Sequence, residues 1–296
     1  MKLHGVLGPV VSTFHEGTED LDIASFARNV QAHVSAGLHG IVVCGSTGEA
    51  ALLSEDERRV LLEAARTVVT SDQALVMGTG AESTRQTIKR CKDAKAAGAD
   101  AVLVVAPHYY SSAMNHEALR VHYRAVADAS PLPVILYNIP KYMHFALPAD
   151  LVGELAQHGN VVGIKDSSGD LNILNGFLAA QSDSFTVLTG NASTFVPALN
   201  AGARGGILAV ALFAPTLALQ TFDAHVTGDA AAADGHQATM KPLAAVIVAE
   251  LGVPGVKTAC DVVGLYGGPA RRPLVDLDEA AEKRVRDVLS GVVVAA

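Results

Sequence analysis

Short apolar runs recur along the first two thirds of the chain, each closed by a polar or glycine-bearing turn. They are Val6–Ser12, Gly40–Cys44, Ala74–Met77, Ala101–Ala106, Pro133–Tyr137, Val161–Lys165, Phe185–Leu188 and Gly206–Val210. The runs are apolar throughout rather than alternating, which is the pattern of strands buried on both faces in a parallel sheet. Between them, apolar residues return at helical spacing. Ile23, Phe26 and Val30 follow Asp22, and Val60, Leu61, Ala64, Ala65 and Val68 follow a capping box at Ser54 and Glu57. A second box, Ser83 with Gln86, opens a helix through Ile88 and Cys91. Further helices are expected over Glu117–Ala129, Pro148–Gln157, Leu171–Ala180 and Phe195–Ala201. This strand–helix alternation predicts an α/β fold, a (β/α)8 TIM barrel over residues 1–213. An open doubly wound sheet is the alternative, but no GxGxxG follows the first strand. After Ala214 no strand is expected. Ala231–Glu250 and Glu279–Val288 read as helices, with Pro254 and Gly267-Gly268-Pro269 as breaks. Residues 214–296 are therefore expected to form a C-terminal helical region packed on the barrel.

Composition narrows the partners. Half the residues are apolar and 18% are charged, enough for a core of barrel size. A net charge of −8 argues against nucleic acid or an anionic membrane. The longest apolar run, Gly205 to Leu219, is broken by Pro215 and is too short to span a bilayer. The N-terminus lacks the apolar stretch of a secretory signal, and Cys44, Cys91 and Cys260 are scattered. Reduced thiols in a cytoplasmic protein fit that pattern. No HxH or HxxxH pair stands at a strand end beside carboxylates, so no metal and no cofactor are expected.

In a barrel, the chemistry sits where the strands end. Those ends carry Ser46 and Thr47, Tyr109 and Tyr110, Tyr137, Lys165, and Gly190 with Asn191. Singly, each has an ordinary explanation. Lys165 could reach back to water or pair with a carboxylate, Gly45 and Gly48 could simply make a turn, and Tyr137 could be a core tyrosine. Jointly, on one rim, they make a coherent set. Lys165 ends a buried strand and can serve as a desolvated amine that attacks a ketone. Tyr137 with Ser46 or Thr47 can relay protons. The Gly45–Gly48 turn can present N–H groups to a carboxylate. A Schiff base formed at Lys165 would draw electrons from the C3–C4 bond of a 4-hydroxy-2-oxo acid.

Three motifs carry a resemblance: Gly45-Ser46-Thr47-Gly48-Glu49, Tyr137-Asn138-Ile139-Pro140 and Gly163-Ile164-Lys165-Asp166. In order and spacing they resemble those of the N-acetylneuraminate lyase and dihydrodipicolinate synthase family, the pyruvate-dependent class I aldolases. The likeness runs over nearly the whole chain. It implies a barrel with C-terminal helices and a homo-oligomer, usually a tetramer. It also implies Lys165 as the Schiff-base lysine, Tyr137 as acid/base, and Ser46 and Thr47 on the substrate carboxylate. Tyr109 matches a tyrosine lent across a subunit interface, and Gly45, Gly190, Ile207 and Tyr142 are expected to meet the 2-oxo acid substrate. Dihydrodipicolinate synthases carry an arginine where this chain has Tyr142, and sialic acid lyases carry an Asp-Glu pair after strand seven, where this chain has Gly190-Asn191-Ala192-Ser193. Gly78–Thr87, Pro107–Tyr110 and Gly252–Pro273 look most like 4-hydroxy-2-oxoglutarate and 3-deoxy-2-oxo sugar acid aldolases. The expectation is a lyase releasing pyruvate and an aldehyde. The alternatives are condensation of pyruvate with aspartate semialdehyde, and a non-catalytic 2-oxo acid binder.

Overall fold

The eight apolar runs become eight parallel strands that close on one another in sequence order. The computed structural model describes residues 3–293. The strands are β1 (Gly5–Pro9), β2 (Gly40–Val43), β3 (Ala74–Gly78), β4 (Ala101–Val105), β5 (Val134–Asn138), β6 (Val161–Asp166), β7 (Thr186–Thr189) and β8 (Gly205–Ile207). Each pairs with the next, and β8 returns to β1. Strand residues are buried except Val105 and Val162, which are half-buried, so the absence of alternation in the sequence reflects cover on both faces. The expected barrel is therefore present. Closure needs glycine where β8 meets β1: Gly205 has φ +147°, and a Cβ there would overlap the Gly5 backbone.

Around the strands lie α1 (Ile23–Ser35), α2 (Glu55–Arg66), α3 (Thr84–Ala96), α4 (His116–Ala129), α5 (Pro140–Met143), α6 (Ala149–Leu155), α7 (Leu171–Leu178) and α8 (Phe195–Ala201). The Ser54–Glu57 capping box forms in full, while at Ser83 only the serine half forms, accepting from the Gln86 N–H. Two strands are shorter than their apolar runs. β1 stops at Pro9, and after β8 the chain turns into a 3-10 segment at Ala209–Leu212.

Helices α9 (Pro215–Thr227), α10 (Ala230–Leu243), α11 (Gly252–Val262) and α12 (Glu279–Val293) complete the chain. A π-helical stretch, Ala244–Glu250, continues α10 just past Pro242. Two elements correct the pattern-based reading. α9 was not expected, because Pro215 read as an interruption; it occupies the first helical position, where its missing N–H costs nothing. Pro254 also read as a break, yet it lies in the first turn of α11 for the same reason. α9 packs on α8 and β1, and α11 on α12 and the π stretch. No described helix is long and apolar enough to cross a membrane.

Between α11 and α12 the chain runs as a strap over the loops after β1 and β2. Tyr266 donates its hydroxyl to the Phe14 carbonyl at 3.0 Å. Arg271 grips both Glu57 carboxylate oxygens at 2.8 and 2.6 Å and donates to the Leu52 and Glu19 carbonyls.

Candidate active site

Strand register builds the centre. β5 and β6 pair so that Tyr137 lies beside Lys165 and Asn138 beside Asp166. Side chains alternate across a strand, so the first pair faces the barrel interior and the second faces away. On the outward pair, Asn138 Nδ2 donates to Asp166 Oδ1 at 2.7 Å, and Asn138 Oδ1 accepts from the Leu147 N–H at 2.9 Å. Ser168 donates its hydroxyl to Asp166 Oδ2 at 2.7 Å. Burial pushes the Asp166 carboxyl above its ordinary range, and the hydrogen bonds from Asn138 and Ser168 pull the other way. This outward clip fixes the ends of the two strands.

On the inward pair, Lys165 Nζ is 3.3 Å from the Tyr137 hydroxyl and 4.3 Å from the ring centroid. Lys165 is 5% exposed and Tyr137 4%. Both open onto a cavity of about 290 Å³ at the C-terminal ends of the strands. Ser46, Thr47, Tyr142, Gly190 and Ile207 line the same cavity. Gly190 is a spatial requirement: a Cβ there would collide with Ser167 Oγ and come within 2.7 Å of Lys165 Cε. Partial burial and the nearby Tyr137 raise the Tyr142 phenol above its usual range.

The turn bearing Ser46 and Thr47 is held under strain. Cys44 and Glu49, neither of them glycine, bracket it at φ 53° and 56°. Ser12 Oγ donates to the Gly48 carbonyl at 2.7 Å from one side. From the other, Glu49 Oε1 lies 2.7 Å from Lys257 Nζ of α11, with both side chains fully buried. Burial raises the Glu49 carboxyl and lowers the Lys257 ammonium, while their mutual attraction opposes both shifts. Glu49 Oε2 also accepts from the Arg271 N–H at 2.8 Å. The glycine requirement falls on Gly48, where a Cβ would press the Val10 carbonyl at 2.8 Å. At Gly45 a Cβ would make only ordinary contacts.

Two expected residues lie apart from the cavity of this chain. Gly45 is buried beneath the turn and does not line it. Tyr109 is 77% exposed, its ring edge-on to Tyr110 at 5.0 Å between centroids. Its loop is pinned by Glu82, whose Oε2 accepts from the His108 and Tyr109 N–H groups at 3.0 and 2.9 Å.

The opposite wall was not anticipated. Ala244, Val248 and Ala249 of the π stretch and Val253 and Val256 of α11 face the cavity. So does Lys141, in the one-turn helix α5 that follows β5. The signal for Lys141 was available: it follows Pro140 directly, on the same rim as Tyr142. Among the described residues, no group of histidines, cysteines and carboxylates is arranged to hold a metal ion.

The profile of the dihydrodipicolinate synthetase family matches residues 2–292. A 4-hydroxy-tetrahydrodipicolinate synthase of Methanoculleus marisnigri is 34% identical over 96% of this chain and 98% of its own length. Among solved structures, dihydrodipicolinate synthase DapA-2 of Bacillus anthracis superimposes with a TM-score of 0.94 at 28% identity, covering 99% of each chain. A dihydrodipicolinate synthase of Acinetobacter baumannii, solved with pyruvate, gives 0.93 at 31% identity, covering 98% of this chain and all of that one.

Proposed function

The chain belongs to the dihydrodipicolinate synthetase family of pyruvate-dependent aldolases and lyases, and from that premise we propose that it cleaves a 4-hydroxy-2-oxo acid through a Schiff base on Lys165. The observation that carries this reading is the buried Lys165 Nζ 3.3 Å from the Tyr137 hydroxyl, in a cavity that no Asp or Glu lines among the described residues. The amine adds to the C2 ketone and water leaves, giving a protonated imine. The C3–C4 bond then breaks, its electron pair moving into the imine to form an enamine. Tyr137 takes the proton of the C4 hydroxyl as the aldehyde departs and passes its own phenolic proton on along the Ser46–Thr47 hydroxyls. Protonation at C3 and hydrolysis release pyruvate and restore Lys165. Ser46 and Thr47 hold the C1 carboxylate throughout, and Tyr109 completes the relay in a neighbouring subunit of a homo-oligomer.

A second reading has its own support. The relatives' names favour the synthase reaction, condensation of pyruvate with aspartate semialdehyde. Against it stands Tyr142, at the position where synthases of this family carry an arginine for the second substrate. The cavity also offers no carboxylate to an incoming ammonium group.

The test begins with pyruvate and borohydride. The expected result is a reduced adduct that peptide mapping places on Lys165. No adduct, or one on another lysine, overturns the mechanism and leaves a binding protein. The kcat/KM values for 4-hydroxy-2-oxoglutarate, a 3-deoxy-2-oxo sugar acid and the aspartate semialdehyde condensation, taken on one preparation, then choose between the two reactions.

A further inference from the structure

The charges around the cavity are unequal. Its lining includes two lysines, Lys165 and Lys141, and among the described residues neither an Asp nor a Glu. When the substrate is bound through Lys165, the positive iminium and the negative C1 carboxylate compensate each other. Lys141 is exposed at the edge of the cavity, where water solvates its ammonium and, among the described residues, no lining acid pairs with it. Its Nζ donates to the Ala249 carbonyl at 2.9 Å, so a neutral acceptor takes one of its three N–H groups. The ammonium lies 5.8 Å from the centre of the Tyr142 ring. It therefore bridges α5 and the π stretch at the cavity's edge.

We infer that Lys141 is a specificity-determining residue that binds a second, distal carboxylate of the substrate. The inference rests on the Schiff-base reading above and narrows it. A five-carbon dicarboxylate such as 4-hydroxy-2-oxoglutarate gives Lys141 its counter-ion. A 3-deoxy-2-oxo sugar acid presents hydroxyls there and leaves the ammonium uncompensated. Aspartate semialdehyde supplies a carboxylate but adds an ammonium that meets no acid. The serines and Asn191 on the β6 and β7 side of the cavity provide hydrogen bonds without altering this balance.

The experiment uses 2-oxo acids that form the imine but, lacking a 4-hydroxyl, cannot be cleaved. Borohydride trapping on Lys165 is titrated with 2-oxoglutarate and with 2-oxopentanoate, which has a methyl group in place of the distal carboxylate. Wild type, Lys141→Met and Lys141→Arg are compared, with pyruvate as the reference ligand. In wild type, 2-oxoglutarate is expected to half-saturate at about a tenfold lower concentration than 2-oxopentanoate, a difference of about 1.4 kcal/mol. Lys141→Met brings that ratio to about one through loss of the dicarboxylate, and Lys141→Arg retains most of it. A wild-type ratio near one, or a ratio that survives Lys141→Met, overturns the assignment while the pyruvate adduct still stands. Failure of wild type to trap pyruvate at all removes the Schiff-base reading and this inference with it.

Discussion

Lys165 and Lys257 present the same side chain to two dry places in one molecule, 5% and 1% exposed. Lys257 meets a carboxylate, Glu49, at 2.7 Å, and also donates to the Pro269 carbonyl at 2.6 Å. Its charge is neutralised and its position fixed. Lys165 meets a phenol at 3.3 Å, beside a cavity with room for substrate. A buried lysine paired with an acid has its reach taken up by that contact and serves as a fastener. One facing a neutral hydroxyl beside an open cavity is left within reach of a ligand. Under the proposed function it is the partner, more than burial, that separates the reactive lysine from the structural one.

The largest effects should come from exchanging the two lysines for methionine in turn. Lys165→Met is expected to lose the pyruvate adduct and to lower kcat by about 10⁴-fold or more. Its melting temperature should hold or rise, since a buried cation without a counter-ion gives way to an apolar side chain of similar length. Lys257→Met should do the reverse. It strands the Glu49 carboxylate and costs about 3–5 kcal/mol, a fall of roughly 10 °C in the melting temperature, while borohydride still labels Lys165. Adding Glu49→Leu should recover much of the loss. Calorimetry and adduct mapping on the same samples check both halves. A stable Lys257→Met would break the comparison.

The next test removes the partner of Lys165 rather than the lysine. Tyr137→Phe is expected to lower kcat by about 10²–10⁴-fold while the pyruvate imine still forms, because the hydroxyl acts after the amine has reacted. Wild-type turnover in this variant would take the proton relay away from Tyr137.

A smaller effect is expected from the exposed tyrosine. Tyr109→Phe should reduce kcat about fivefold to tenfold, the worth of one hydrogen bond, and only in an assembled oligomer. Sedimentation of a fully active monomer would show that Tyr109 serves no site.

The legible part of this molecule was local. Continuous apolar strands, capping boxes and strand-end residues announced the barrel, and the register that sets Tyr137 beside Lys165 carries the pairing that the rim residues suggested. What was hidden depended on contacts distant in the chain or on proline in an unfamiliar position. Pro215 and Pro254 look like stops in a linear reading and are helix beginnings in space. The Glu49–Lys257 pair joins the turn after β2 to α11, and neither residue alone signals the other. Lys141 was overlooked beside the more conspicuous Tyr142, although the two share one short helix.

The strap across the barrel mouth has a consequence for the order of events during synthesis. The last strand ends at Ile207, so the ribosome has delivered every strand, with Lys165 and Tyr137, before it reaches Lys257 and Arg271. Until those two residues emerge, Glu49 has neither its cation nor the backbone N–H that binds its other oxygen. The strained turn carrying Ser46 and Thr47 is then free to relax. The contacts that hold the far end of this turn are thus delivered last, after every strand of the barrel. A chain ending before Lys257 lacks both contacts to Glu49 and keeps only the one from Ser12 to the Gly48 carbonyl.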